Sequence, residues 1–182
     1  GHREIIVPFS ILICVQIGLA IAVVNLPIIA RDIFKVGLNL SGVAIAVPAG
    51  VGAISGAFII SKLLKKGMRK RKIIEFCLII VAIAVLMLAF FVPNLGEVRR
   101  ILFGVIFAML VGFSFIGITI PSQTFLQEKT PGGLRGRVFG NFWFLVTIAT
   151  MIPVLLSGTI IEIFGTRILL AILGVIGLVV FY

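Results

Sequence analysis

The polar side chains of this 182-residue chain are few, and their positions limit the chemistry it can do. Its six carboxylates are Glu4, Asp32, Glu75, Glu97, Glu128 and Glu162, and each stands near the edge of an apolar run or between two runs. A carboxylate deep inside such a run is the common proton relay of a pump, and this sequence places none there. The single histidine, His2, sits at the start of the chain, and Cys14 and Cys77 lie within apolar runs without metal-ligand spacing. Neither a metal site, a redox pair nor a cofactor is expected. The groups left inside the runs are neutral amides: Gln16, Asn25, Gln123 and Asn141. An amide in hydrocarbon needs a partner, which is a neighbouring helix or a water-filled cavity. The hydroxyls of Ser114, Thr119, Ser122, Thr147 and Thr150 are weaker candidates, because a helical hydroxyl can bond its own backbone. The chemistry on offer is recognition by hydrogen bonds. The nucleophile–base pair or metal ligands of an enzyme are missing.

These groups are positioned by six apolar runs, at residues 5–30, 43–64, 73–93, 101–125, 138–161 and 168–182. The chain is 61% hydrophobic and only 12% charged, against about 25% charged for a soluble domain. A membrane-spanning helix needs roughly 20 mostly apolar residues. Five runs reach that length, and the sixth, as a helix of ~22 Å, falls short of a ~30 Å hydrocarbon core. The fold class is therefore an all-α membrane protein, a single bundle of six transmembrane helices over residues 1–182. The chain opens without methionine and its last run is short, so a piece of a longer protein is expected.

Local signals refine the helices. Asn25-Leu26-Pro27 predicts a kink late in the first, because proline removes a backbone donor. Gln16 and Asn25 are ~900° apart around a helix at about 100° per residue, which puts them on opposite faces unless the helix bends near Pro27. The second helix carries the small residues Ala46, Ala49, Gly50, Ala53, Gly56 and Ala57, a surface for close approach of another helix inside or outside this set of six. The third is the plainest and is expected to face lipid. The fourth is rich in glycine, with Gly104, Gly112 and Gly117. Thr130-Pro131 reads as the N-cap and first position of the fifth, which then carries Pro153 as a bend and Gly158 as a packing position. Phe139, Phe142, Trp143 and Phe144 read as an interfacial aromatic belt, or alternatively as a stacking surface for an amphipathic substrate.

The net charge of +10 is unevenly distributed. Lys62, Lys65, Lys66, Arg69, Lys70, Arg71 and Lys72 crowd one loop, and Arg3, Lys129, Arg135 and Arg137 fall on the same side of the membrane. Only Arg31, Lys35, Arg99, Arg100 and Arg167 fall on the other. Basic loops stay in the cytoplasm, so both chain ends are assigned there. The 62–72 loop is suited to anionic lipid. No aromatic residues interleave with its charges, so nucleic acid is not an expected partner.

The stretch 121–140, which reads PSQTFLQEKTPGGLRGRVFG, resembles the connection between the tenth and eleventh helices of major facilitator superfamily exporters. It is most similar to the branch of macrolide-efflux and enterobactin-exporter-like permeases. Asn25-Leu26-Pro27 followed by Arg31-Asp32 is similar to that branch's seventh helix, and 65–72 to the superfamily's basic loop. That loop often reads Asp-Arg-x-Gly-Arg. With Gly67 as its glycine, Leu64 stands where the aspartate would be, so the aspartate's role does not carry over. The resemblance implies the carboxy-terminal half of a twelve-helix transporter in the bacterial cytoplasmic membrane, built of inverted three-helix repeats and working by alternating access. Its partner would be the amino-terminal half, and its cargo small amphipathic molecules for efflux. Gln16, Asn25, Gln123 and Asn141 are then the substrate-cavity candidates, and Glu128, Arg135, Arg137 and Gly67 belong to the cytoplasmic gate and its structure. The competing reading is a six-helix channel or self-associating membrane protein, but no re-entrant loop or ring of like charge supports a pore.

The charge distribution generates a direct test. A cysteine at Asn94 or Gly37 should react with an impermeant maleimide added outside intact cells, and one at Gly67 should not. Labelling at Gly67 from outside would invert the topology.

Overall fold

The computed structural model describes the backbone of residues 2–35, 38–130 and 132–181, and the side chains of 9–35, 43, 45–130 and 132–179. Gly37 and Pro131, and the side chains of His2, Arg3 and Glu4, lie outside the described residues. The elements are α1 (His2–Val24), α2 (Leu26–Ile29, continued by a π-turn at Ala30–Phe34), α3 (Leu38–Lys65), α4 (Lys70–Phe90), α5 (Glu97–Lys129), α6 (Arg135–Phe164) and α7 (Thr166–Phe181). No strand occurs among the described residues. Ile45–Lys65, Lys70–Asn94, Glu97–Lys129 and Gly132–Phe164 are each long and apolar enough to cross a membrane, and Phe9–Val24 with Leu26–Phe34 forms a fifth, broken span. Thr166–Val179 is shorter. The protein is an all-α integral membrane protein.

The run at 5–30 is not one helix. It breaks at Asn25, and the two pieces are bent by 64°. Pro27 sits in the first turn of α2, where its missing N–H is tolerated. The remaining helices extend beyond their apolar runs into polar residues at one or both ends. The third extends so only at its start, from Lys70, and stops short of its run at Phe90, with Pro93 in a separate 3-10 turn at Val92–Asn94. In contrast to Pro27, Pro48, Pro121 and Pro153 lie inside α3, α5 and α6, which run through them as single elements.

The helix pairs follow a pattern of two three-helix units only in part, since the α6–α7 contact has no comparable α3–α4 counterpart. Exchanging α1 with α5, α3 with α6 and α4 with α7 carries the α3–α5 contact onto α1–α6, and the α4–α5 contact onto α1–α7. The two sides are unequal, because α3, α4, α5 and α7 form the denser block and α1 and α6 lie more loosely against it. Lipid tails supply no hydrophobic force between helices, so close backbone approach must hold the block. It does so at α3–α5. A Cβ added at Gly52 would lie 2.0 Å from the Met109 carbonyl oxygen, and one at Gly112 would lie 1.9 Å from that of Ala49. Gly56 faces Phe113 in the same way. Elsewhere in the block Gly104 receives the Phe34 ring, Gly117 the Cys77 sulfur and Gly174 Leu86. The small residues of α3 thus divide. Ala49 and Gly56, with Gly52, pack inward, whereas Gly50 has nothing within 4 Å of its missing side chain. Gly158 likewise has open space around it, so it is not the packing position that its sequence suggests.

Two other expectations are corrected. The plain third helix, α4, is the most enclosed of the spans, burying Ile73, Ile74, Cys77, Leu78, Ala82, Ala84, Leu88 and Ala89. Only a stripe including Phe76, Ile83, Met87 and Phe90 faces outward. Thr130 does not cap α6. Its hydroxyl donates back to the Leu126 carbonyl at 2.7 Å and closes α5, and Gly132–Leu134 form a 3-10 turn before α6 begins at Arg135. Paired glycines make a poor helix start.

Gly112→Ala, or Gly52→Ala, should push α3 and α5 apart and destabilise the inserted protein by about 1–3 kcal/mol, the usual cost of overpacking. Gly50→Ala should be neutral or slightly stabilising. Reversible unfolding in mixed detergent micelles distinguishes the pair, and equal tolerance of both substitutions would refute the close contact.

Candidate functional site

The four amides meet different fates. Asn25, at the break between α1 and α2, is 3% exposed. Its Nδ2 donates to the Ile21 carbonyl at 2.9 Å and to Ser157 Oγ on α6 at 2.7 Å. Ser157 in turn donates to the Val154 carbonyl at 2.7 Å. Asn25 therefore ties the broken helix to α6. Gln16 on α1 and Gln123 on α5 are half-buried, and neither side chain has a hydrogen-bond partner among the described residues. Asn141 is exposed on the outer surface of α6. Bending near Pro27 is present, yet it does not unite Gln16 and Asn25 on one open surface, because Asn25 is enclosed.

The hydroxyls of α5 add a second polar feature. Thr124 donates to the Ile120 carbonyl at 2.8 Å, as helical threonines often do. Ser114, Thr119 and Ser122 are buried, and their oxygens have no partner among the described residues. Pro121 lies among them, and its absent N–H leaves the carbonyl four residues back, that of Gly117, without its helical donor. Among the described residues, three of the four buried side-chain polar atoms without a partner lie in this segment of α5.

Each membrane face is clasped by polar contacts. On the basic side Lys70, at the start of α4, bonds Glu128, at the end of α5. Arg71 Nε donates to Glu75 Oε1 at 2.6 Å within α4. Arg135 Nε donates to the Thr130 carbonyl at 3.2 Å and braces the α5–α6 turn. Arg137 is exposed on the first turn of α6. Gly67, at φ +81°, ends α3 with Gly67 N–H on the Leu64 carbonyl at 3.0 Å and Met68 N–H on that of Leu63 at 3.2 Å. This left-handed cap favours glycine. On the other side Thr166 Oγ1, at the start of α7, donates to Asp32 Oδ2 at 2.5 Å, and Arg31 Nε bonds Asp32 Oδ1 at 3.0 Å. Asp32, Thr166 and Arg167 line a recess of about 230 Å³ there.

The aromatic cluster is not uniformly a belt. Phe142 is fully buried and meets Phe9 of α1 edge-on, ring centroids 5.4 Å apart, with Leu12 and Val146 beside it. It joins α1 to α6. Trp143 and Phe144 face outward. Ser157, Thr166 and Gly52 are the contributors that sequence reasoning missed. A serine inside an apolar run was a signal for the first, but its partner lies 132 positions away.

The sequence profile of the Major Facilitator Superfamily matches residues 9–182, and the chain belongs to that superfamily. It is accordingly a membrane transport protein, and its helices have the arrangement of a major facilitator half. No curated protein and no solved structure matches the chain.

The Asn25–Ser157 bond predicts a measurable coupling. In a double-mutant cycle of Asn25→Ala and Ser157→Ala, unfolding of the inserted protein should show an interaction of about 0.6–1.7 kcal/mol, the range for hydrogen bonds between membrane helices. Strict additivity would mean that the bond contributes nothing.

Proposed function

We propose that this chain forms the carboxy-terminal half of a secondary transporter that exports small amphipathic molecules by alternating access. Its partner in this reading is the amino-terminal half, with which it rocks about a central cavity in the bacterial cytoplasmic membrane, both ends of the present segment being cytoplasmic. The observation that carries the reading is the pair of half-buried, unpartnered amides Gln16 and Gln123, on helices α1 and α5 that pack against each other. Unpartnered amides in an apolar bundle are stable where water or a polar ligand reaches them. Neutral amides in an apolar wall suit a substrate with a large hydrophobic part and a few polar groups.

Asn25 has the role of a pivot in this proposal, holding the α1–α2 break against α6, and Asn141 lies on a surface open to the other half. Glu128, Arg135 and Arg137 form the cytoplasmic boundary of the gate, and Gly67 fixes the turn from which the basic loop departs. Exposed ion pairs contribute only about 0–1 kcal/mol each, which suits contacts that break and re-form in every cycle. Anionic lipid at the 62–72 loop completes the set of partners.

The reading is tested by Gln123→Ala in the full-length transporter, reconstituted in vesicles and assayed with a panel of fluorescent amphipathic dyes. Removal of one ligand hydrogen bond should raise KM about 3–10-fold for dyes that use it and leave others unchanged, with insertion and unfolding midpoint preserved. Unchanged KM across the panel would remove Gln123 from the cavity.

A further inference from the structure

A recess lies away from the amides. It is a groove of about 600 Å³ on α3, lined by Ala57, Phe58, Ser61, Lys62 and Lys65. These residues form two adjacent rows on one helix face. Ala57, Ser61 and Lys65 recur every four positions, and Phe58 and Lys62 stand beside them. Phe58 is 75% exposed, the most exposed phenylalanine among the described residues. The floor of small residues continues down the helix through Ala53 to Gly50, which has nothing within 4 Å. From Gly50 to Lys65 the helix extends ~22 Å, enough to match one leaflet, about half of a ~30 Å hydrocarbon core.

The charges at the top of this groove differ from the two paired ones at the start of α4. Lys70 and Arg71 are engaged by Glu128 and Glu75. Lys62 and Lys65 have no carboxylate partner among the described residues, and the Ser61 hydroxyl has no hydrogen bond there either. No acidic residue lines the groove. Two unneutralised ammonium groups and a free hydroxyl therefore sit together at the membrane boundary, directly above a furrow lined by an aromatic ring and small residues.

We propose that this groove is a binding site for one anionic phospholipid. Its phosphate is held by Lys62, Lys65 and Ser61, and one acyl chain lies along Ala57, Ala53 and Gly50 against Phe58. The site rests on the membrane placement and sharpens the anionic-lipid contact proposed above. It does not depend on the transport reading, so a failed substrate assay leaves it standing and its own failure leaves transport untouched.

Native mass spectrometry of the full-length protein, with phosphatidylglycerol and phosphatidylcholine of equal chain length, tests it. The wild type should retain one phosphatidylglycerol in preference. Lys62→Gln with Lys65→Gln should weaken that retention about 10–30-fold, from roughly 1 kcal/mol for each lysine near the surface. Lys66→Gln with Lys72→Gln, an equal change of charge in the same loop, should leave it unchanged. Equal loss in both double variants would reduce the effect to diffuse attraction, and no preference for phosphatidylglycerol would eliminate the site. Displacement by millimolar inorganic phosphate would show a headgroup site without a chain groove and overturn the proposal. In an otherwise wild-type background, Phe58→Cys should react with a membrane-soluble maleimide in phosphatidylcholine nanodiscs and be protected when phosphatidylglycerol is added. Protection in phosphatidylcholine alone would mean that protein covers the groove.

Discussion

The bundle depends on the contact of α3 with α5, where backbone meets backbone without side chains between. In water such a contact would be a minor part of a hydrophobic core. In lipid the tails compete on equal terms with every leucine, so the gain must come from closer packing than lipid can offer. Gly52 and Gly112 provide it reciprocally, each lying against a carbonyl of the opposite helix. Gly104 and Gly117 extend the same device along α5, toward α2's π-turn and toward α4. The central helix of the dense block is thus defined by what its glycines lack.

The looser side is held differently. Where α1 and α6 meet, the fastening is a buried ring, Phe142, and one polar bond, Asn25 to Ser157. Both fasten α1 or its break to α6, and a further bond from Thr166 to Asp32 ties the far end of α2 to α7. A helix broken at Asn25 and fixed at few points is freer to reorient than one laid along a glycine seam. The half is thus divided between a dense block and a lightly attached broken helix.

Much of this was legible in the sequence. The positions of the helices followed from hydropathy, and the break near Pro27 followed from the chemistry of proline. Gly67 was singled out only by the resemblance of its loop to the superfamily's basic loop, and in the structure it forms a left-handed cap at the end of α3. What could not be read depended on partners distant in the chain. Nothing in Asn25 announces Ser157, and nothing in Thr130 tells whether its hydroxyl closes one helix or opens the next. The third helix looked lipid-facing because it is uniformly apolar. In a membrane, however, apolar composition describes a buried helix as well as an exposed one, since both surroundings are hydrocarbon. Phe142 was hidden by the same ambiguity among four aromatic neighbours, of which it alone is fully enclosed.

Three of the carboxylates clasp helix ends at the two faces. Asp32 serves α7 on one membrane face, while Glu128 and Glu75 engage lysine and arginine on the other. Each is at least partly exposed, in water where an ion pair contributes little. The glycine seam is the opposite case, buried, uncharged and costly to disturb. A conformational change in this half therefore meets least resistance at its two faces and most in its middle.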